Sequence, residues 1–338
     1  MQDMISIEKV LNSRCSCDFD GNPKKDHWGI FIKDKHPSQR IIQRVLQCCK
    51  VPQFSDGKLL PWFEEEYLFL GFEKTNDLFK TRLLQIESGM QQEAVYLACT
   101  ALGLGTCIHN LGINGTEYAD KIATARHLIL EKADSYEAGK FSTAPTGPEK
   151  PFKKGKNLSE PRRDGNVECL PELEQLTLFK NTGTQADETD ISQLLWVAKG
   201  RTPHYIKSHP WGLTIPTWGG GQNYTNVYLV KENKLFRYIN WTIRFFPLSW
   251  GIGNPTHDIK LLQKVNISSQ LDEANSAIIL GRNEKTNRAL LEVGYMLENM
   301  FLQTKSLGIS YKSKVFTKDE IKKLERNGIS DPVAALLL

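Results

Sequence analysis

The fold is decided by two stretches of sequence, IESGMQQEAVYLACTALGLG at residues 86–105 and LEVGYMLENMFLQTKSLGIS at residues 291–310. Aligned without gaps, they are identical at Glu87/Glu292, Gly89/Gly294, Glu93/Glu298, Leu97/Leu302, Leu102/Leu307 and Gly103/Gly308. Each is preceded by an apolar run, a glycine and the letters EKTN, in YLFLGFEKTN at 67–76 and in SAIILGRNEKTN at 276–287. This ordered set of matches indicates an internal duplication.

Each copy predicts a buried strand followed by a long helix. In the first copy, apolar residues recur at helical spacing, at Met90, Ala94, Leu97, Ala98 and Ala101. A glycine, Gly103 or Gly308, is expected to end the helix. These helices are either ordinary core helices or helices that pack against their own duplicate through small residues. Further helices at 6–14, 38–49 and 190–200, and a hairpin of 226–230 with 234–239, give the class α+β.

The chain is predicted to divide into two domains, residues 1–136 and residues 173–338. Between them, residues 137–172 are rich in Pro, Gly, Lys and Ser and have no apolar periodicity, which favours a long connector.

Composition excludes several classes of function. The 338 residues carry a formal net charge of only +4, which argues against nucleic acid or an anionic membrane as the main partner. The polar N-terminus and the absence of a long apolar window predict a cytoplasmic protein. The seven cysteines form no disulfide framework. Cys15 with Cys17, or Cys48 with Cys49, would begin a zinc site, but no second pair completes one, so no metal is expected.

The first copy resembles the central helix of flavin-dependent nitroreductases, through its Glu-x-Gly-Met start and its ALGLG end. The second half resembles the branch of SagB-like, azoline-forming dehydrogenases. The matching words are SQLLWVAKGRT, TIPTWGGGQNYTNVYLV, KLFRYI and ALLEVGYMLENMFLQTKSLG. Members of this family are homodimers of a mixed sheet flanked by helices, with FMN at the dimer interface. The resemblance therefore implies two tandem nitroreductase-like domains that form an intramolecular pseudo-dimer.

The first half resembles the family in its phosphate motif and in the loop after the central helix. Arg14, Cys15 and Ser16 resemble an R-x-S phosphate motif, in which a guanidinium and a hydroxyl hold the phosphate. Alternatively, Arg14 and Ser16 only cap the first helix. In the family, the loop after the helix aims a backbone N–H at the flavin N5, which gains electron density on reduction. The residues expected beside the ring are Gly105, Thr106, Cys107, Ile108, His109, Asn110, Leu111 and Gly112.

The second half lacks those features but resembles the family at another loop. Pro216, Thr217, Trp218 and Gly219 resemble the P-S-x-G loop that covers the ring from the partner subunit. Because the halves are complementary, the resemblance implies one FMN per chain. Late basic residues could add a phosphate contact or belong to a solvated linker; they are Lys153, Lys154, Lys156, Arg162 and Arg163.

A segment dense in aromatic residues, His and Gly supplies the candidate substrate pocket. The expected substrate-binding residues are Tyr205, Trp211, Gln222, Asn223 and Tyr224. His204 or His209 would donate a proton near neutral pH, or serve only as a structural hydrogen-bonder. The resulting expectation is an FMN-dependent oxidoreductase acting on a small organic substrate, with NAD(P)H or a ferredoxin as electron donor, and monomeric or a higher oligomer of pseudo-dimers. The alternatives are a flavin-free relative that acts as a binding or scaffold protein and an unrelated binding protein.

Overall fold

The computed structural model describes residues 5–12, 36–64, 67–110, 115–118, 120–131, 156–202, 212–216, 224–243 and 253–338. The helices are α1 Ile7–Asn12, α2 Gln39–Cys48, α3 Leu78–Ala101, α4 Cys169–Leu173, α5 Glu188–Lys199, α6 Asn287–Leu307 and α7 Lys318–Arg326, with a 3-10 turn at Ser268–Leu271. The first strands are β1 Leu59–Glu64, β2 Tyr67–Glu73, β3 Gly105–Asn110, β4 Thr116–Tyr118, β5 Lys121–Leu130, β6 Lys156–Asn157 and β7 Phe179–Lys180. The remaining strands are β8 Arg201–Thr202, β9 Gly212–Leu213, β10 Thr225–Lys231, β11 Lys234–Ile243, β12 Gly253–Lys264, β13 Ser276–Arg282, β14 Tyr311–Val315 and β15 Pro332–Leu337.

The two long helices, α3 and α6, each have a side-chain N-cap and a left-handed glycine after the C-terminal end. The Asp77 carboxylate accepts backbone hydrogen bonds at the start of α3, and the Thr286 hydroxyl does so at the start of α6. Gly103 and Gly308 follow the helices with φ values of 69° and 67°, in the left-handed region that glycine adopts without strain. The predicted helix ends at these two glycines are confirmed.

The strands around α3 and those around α6 follow the same order. The first sheet runs β1-β2-β5-β3, with β4 also paired to β5. The second sheet contains β10-β13-β15-β14 in its middle, within the longer order β6-β12-β11-β10-β13-β15-β14-β7. In both, the strand before the long helix pairs with the last strand of the unit, and the strand after the helix pairs with that same last strand. All these pairings are antiparallel, which gives the α+β class.

Gly71 and Gly281 occupy corresponding positions in those sheets. The pairing shifts register between Leu70 and Gly71 in one sheet and between Leu280 and Gly281 in the other. A Cβ on either glycine would lie within 3.0 Å of a carbonyl oxygen of the neighbouring chain segment. Only glycine fits such a close approach of two backbones, which explains why each copy has a glycine shortly before its EKTN sequence.

Helices α3 and α6 cross at Gly89 and Gly294. A Cβ on Gly89 would lie within 3.0 Å of the Leu291 carbonyl, and a Cβ on Gly294 would lie within 3.0 Å of the Ile86 carbonyl. Ile86 and Leu291 are equivalent in the gap-free alignment, as are the two glycines. The contact is therefore reciprocal, as in a two-fold interface where residue i meets j and j meets i.

The main apolar core surrounds these helices. From Leu83 to Ala101 every residue of α3 is buried, and from Ala289 to Thr304 every residue of α6 is buried. The second sheet is covered on its other face as well, where Phe316, Leu324 and Ile329 form a separate cluster. Of the helices that the structure describes, none is long and apolar enough to cross a membrane.

Part of the predicted connector is packed structure. β6 pairs with β12, and Glu168 forms an isolated bridge with Ser6. In α4, Cys169 and Leu173 are buried in the main core. Within residues 156–172, β6, the bridge at Glu168 and α4 are therefore packed, which differs from the expected unpacked connector. The domain boundaries themselves stay a prediction.

Glu298 of α6 is a buried carboxyl group that is costly to ionise. It is fully buried, and neither of its carboxyl oxygens has a hydrogen-bond partner among the described residues. Burial, and then the nearby Glu93 carboxylate, raise the pKa of Glu298 well above its usual value. Cys48, Cys49 and Tyr311 also lie close enough to interact electrostatically with it.

A Glu298→Gln substitution is expected to stabilise the protein at alkaline pH. Because the folded-state pKa of Glu298 is raised, its contribution to stability is present below pH 4.5 and is lost as the pH rises through the folded-state value. Glutamine removes this loss, so the free energy of unfolding at pH 8 should rise by about 1–3 kcal/mol relative to wild type. Urea unfolding from pH 4 to pH 9 measures the effect. Parallel pH profiles for the two proteins would contradict the account.

Candidate functional site

The structure describes part of the predicted site. The described members are Gly105, Thr106, Cys107, Ile108, His109, Asn110, Pro216 and Tyr224. The others lie outside the described residues; they are Arg14, Cys15, Ser16, Leu111, Gly112, His204, Tyr205, His209, Trp211, Thr217, Trp218, Gly219, Gln222 and Asn223.

Residues 105–110 are a strand rather than the loop that the resemblance implies. They form β3, which pairs in continuous register with β5 from Gly105 opposite Leu130 to Asn110 opposite Ala125. The β-branched residues Thr106 and Ile108 favour this extended backbone. β3 stands at the end of the described strand order, so one of its backbone edges is not paired to another described strand.

The Thr106 side chain faces the interior. It is fully buried, and its Oγ1 lies 3.2 Å from Nδ1 of His127 on β5. The His127 ring packs edge-on against Tyr96 of α3, with ring centroids 5.4 Å apart. Burial lowers the pKa of His127 to about 3, so the imidazole is neutral at physiological pH. The Thr106 side chain therefore belongs to the core and does not reach a ligand outside it.

The Ile108 backbone N–H is already used. It donates a 2.9 Å hydrogen bond to the Tyr96 hydroxyl. A flavin N5 beside β3 would need its donor from another residue of 105–112 unless Tyr96 turns away. Tyr96 and His127 were not predicted as site residues. Helical and strand periodicity predicts that they are buried, but it does not predict which residues they contact.

In the second half, the structure describes two of the predicted site residues, Pro216 and Tyr224. Pro216 follows β9 and is half-buried. Tyr224 is 6% exposed, and its carbonyl accepts a 2.7 Å hydrogen bond from the Asn283 N–H. The Tyr224 side chain is almost wholly enclosed, and its substrate-binding role stays a prediction.

A buried ionic network joins the C-terminus of α5, the start of β10 and helix α6. Lys199 Nζ, at the end of α5, donates to the Thr225 carbonyl at 2.7 Å and lies 3.6 Å from Glu292 Oε2 on α6. The Thr225 hydroxyl donates to the same Glu292 oxygen at 2.8 Å. Burial lowers the pKa of Lys199 to about 8 and raises that of Glu292, while their mutual attraction opposes both shifts.

Asn299 of α6 forms further hydrogen bonds to the end of α5 and to the residue after β9. Its Nδ2 donates to the Val197 carbonyl at 3.1 Å and to the Thr214 carbonyl at 2.9 Å. The Thr214 N–H in turn donates to the Gly200 carbonyl at 3.0 Å. α6 therefore fixes the C-terminus of α5 and the start of β10, which flank both candidate loops. Lys199, Glu292 and Asn299 were not predicted, since nothing in the sequence pairs them.

Glu87, which is equivalent to Glu292, holds a different segment. It accepts hydrogen bonds from the Ser55 N–H at 2.6 Å, from the Ser55 hydroxyl at 2.8 Å and from Gln53 Nε2 at 3.3 Å. Glu87 and Glu292, at equivalent positions of the two long helices, thus each bind a neighbouring segment of their own half through polar contacts of a buried side chain.

The late basic residues have other surroundings where they are described. Lys156 Nζ forms a surface ion pair with Glu188 at 3.3 Å. Arg162 donates its backbone N–H to Gln193 Oε1 at 2.8 Å, and Arg163 is exposed. Nothing in these contacts favours a phosphate role for the three residues. Lys153 and Lys154 lie outside the described residues.

The described part of the chain contains free thiols and no arrangement of metal-ligating side chains. Cys48, Cys49, Cys99 and Cys169 are buried free cysteines. Burial is the main cause that raises the pKa of Cys48 to about 12, so this thiol stays protonated. No group of three or more His, Cys, Asp or Glu side chains within the described residues is arranged to hold a metal ion.

The fold has a counterpart among solved structures. The crystal structure of a candidate nitroreductase from Anabaena variabilis superposes with a TM-score of 0.53 over 80% of this chain and 68% of that one, at 9% identity. The fold is nitroreductase-like. At that identity, the likeness concerns the nitroreductase-like fold alone.

Two further solved structures show weaker likenesses to this chain. A candidate nitroreductase from Ralstonia eutropha has a TM-score of 0.39, 19% identity, and coverage of 55% of this chain and 88% of that one. One from Thermotoga maritima has a TM-score of 0.42, 10% identity, and coverage of 100% and 95%. No protein-family model matches the sequence. No curated protein matches it either.

Proposed function

We propose that the chain is an FMN-dependent oxidoreductase with one composite flavin site, built by an internal duplication. The observation that carries this proposal is the reciprocal crossing of α3 and α6 at Gly89 and Gly294. The matching strand orders and the two bulge glycines support a duplicated unit. The nitroreductase-like fold supports a family in which FMN binds at a two-fold interface.

The FMN would be held by complementary parts of the two halves. Arg14 and Ser16 would bind the phosphate, residues 105–112 would lie along the ring, and the Pro216 loop would cover it. The edge of β3 that pairs with no other described strand is compatible with a planar ring beside its backbone. Bound FMN would supply hydride or electron transfer.

The chain's own residues would position this chemistry. Lys199, Glu292 and Asn299 would hold the two segments that flank the Pro216 loop and the His204 segment. His204 or His209 would donate a proton to a small organic substrate. Electrons would come from NAD(P)H or a ferredoxin.

A flavin-free binding protein is the second candidate function. The hydrogen bond from the Ile108 N–H to Tyr96, and the buried side chain of Thr106, favour it. If Tyr96 keeps that bond, β3 presents fewer donors to a flavin.

The proposal predicts that an Arg14→Ala variant binds FMN at least about tenfold more weakly than wild type, because a charge-assisted contact to the phosphate is lost. Fluorescence titration of FMN into the flavin-depleted full chain measures this. The matched control is Arg163→Ala, which removes an exposed arginine and should bind as wild type does. Equal affinities for all three proteins would place the phosphate elsewhere, and no binding to wild type would favour the flavin-free alternative.

A further inference from the structure

A cleft of about 390 Å³ lies between the turn after β13 and the turn before β15. Its lining residues are Arg282, Asn283, Lys285, Glu325, Gly328, Ile329, Ser330 and Asp331. The volume lies within the range of small-molecule pockets. None of these residues belongs to the proposed flavin site.

The floor of the cleft is a partly buried guanidinium. Arg282 Nε bonds to Asp331 Oδ2 at 2.7 Å, and the two side chains are 14% and 11% exposed. The two terminal nitrogens of Arg282 make no hydrogen bond to any described residue. Their N–H groups are therefore available as a fork for an oxyanion.

A second guanidinium stands behind the first. Arg82 of α3 donates to the Pro332 carbonyl at 3.3 Å, and its Nε has no partner among the described residues. Burial, and then the charge of Arg282, lower the pKa of Arg82, while Asp331 opposes that change. Asp331 is paired with Arg282 and interacts with Arg82 only electrostatically, so one carboxylate faces two guanidinium groups and an excess of positive charge remains.

Two exposed side chains at the cleft carry opposite charges. Lys285 is exposed and forms no ion pair with a described residue. Glu325, on α7, is exposed and would repel an anion. The cleft therefore combines a fixed arginine fork, a free lysine and one opposing carboxylate.

We propose that this cleft binds a phosphate-type oxyanion carried by a small molecule. The Arg282 fork contacts the oxygens, Lys285 adds a flexible second charge, and Arg82 contributes its field from behind. The remaining volume accommodates the group to which the oxyanion is attached. The proposal does not depend on bound flavin.

Inorganic phosphate is the probe that tests the site. The melting temperature of the full chain is measured against phosphate concentration, with chloride keeping the ionic strength constant. A ligand that binds the folded state raises the melting temperature in a saturable way. We expect Lys285→Gln to weaken the apparent affinity about twofold to fivefold. We expect Arg282→Gln to weaken it about tenfold or more. We also expect Glu325→Gln to tighten it.

The control is Lys260→Gln, which removes an exposed lysine from β12 and should respond as wild type does. Because Lys285 and Glu325 are exposed, their variants remain informative even if Arg282→Gln does not fold. The proposal is overturned if wild type responds no more to phosphate than to chloride, or if Lys285→Gln, Glu325→Gln and Lys260→Gln respond alike. Loss of the response in Arg14→Ala, with the response of Lys285→Gln intact, also overturns it, because the anion then binds elsewhere.

Discussion

Replacing Lys199 by methionine should lower the free energy of unfolding by about 3–5 kcal/mol, the usual cost of leaving one partner of a buried ion pair alone. Glu292 would keep its buried carboxylate without a cation, since Lys199 and Glu292 are 4% and 1% exposed. The Thr225 carbonyl would also lose its 2.7 Å donor. Urea unfolding at pH 7, followed by far-ultraviolet circular dichroism, measures the change.

Two further variants distinguish the effect of losing this ion pair from the general effect of replacing a lysine by methionine. Lys312→Met removes one side of an exposed pair with Asp272, which keeps Lys314 as its other partner, so about 1 kcal/mol or less is expected. Adding Glu292→Met to Lys199→Met should recover much of the loss, because two apolar side chains leave no buried charge. If the free energy of unfolding of Lys199→Met lies within about 1 kcal/mol of the wild-type value, the ion pair does not stabilise the contacts among α5, β10 and α6.

Alanine at Gly89 or at Gly294 should each destabilise the protein by about 2 kcal/mol, and by similar amounts. The added Cβ would meet a backbone carbonyl of the facing helix within 3.0 Å, so α3 and α6 must separate. Overpacking of this kind costs about 1–3 kcal/mol or more. The better helix propensity of alanine returns at most about 1 kcal/mol. Thermal and urea unfolding of the two variants measure both values.

Gly57 provides the matched control for these substitutions. A Cβ there would also lie within 3.0 Å of its neighbours, but those atoms are the end of the flexible Leu84 side chain. Gly57→Ala should therefore cost less than either helix variant. If Gly89→Ala leaves the free energy of unfolding unchanged while Gly294→Ala lowers it, the crossing is not reciprocal. That outcome would remove the main support for a duplicated unit.

The long helices were predictable because their signals are local. Apolar spacing and a terminal glycine indicate α3 and α6, and the N-terminal extension of α3 to Leu78 follows from the Asp77 cap. The hairpin of β10 and β11 was also predicted, and it turns at Glu232 and Asn233 with positive φ values of 52° and 55°. Short stretches with weak periodicity, such as α4 within the predicted connector, were not.

The site was harder to predict because its partners are distant in the chain. Lys199 and Glu292 are 93 positions apart, and burial rather than sequence brings them to 3.6 Å. Thr106 and Ile108 were expected in a loop, but pairing with β5 makes them a strand. The resemblance did not specify these strand contacts, and the roles of the motif residues stay predictions.

The flavin-to-chain ratio of the purified protein tests the central claim most directly. It is measured from the visible absorption spectrum, with the cofactor identified after denaturation and the chain quantified separately. The account predicts one FMN per chain, since each half supplies only part of a site. Two FMN per chain would contradict the single composite site, and no flavin, with no uptake of added FMN, would contradict the proposed function itself.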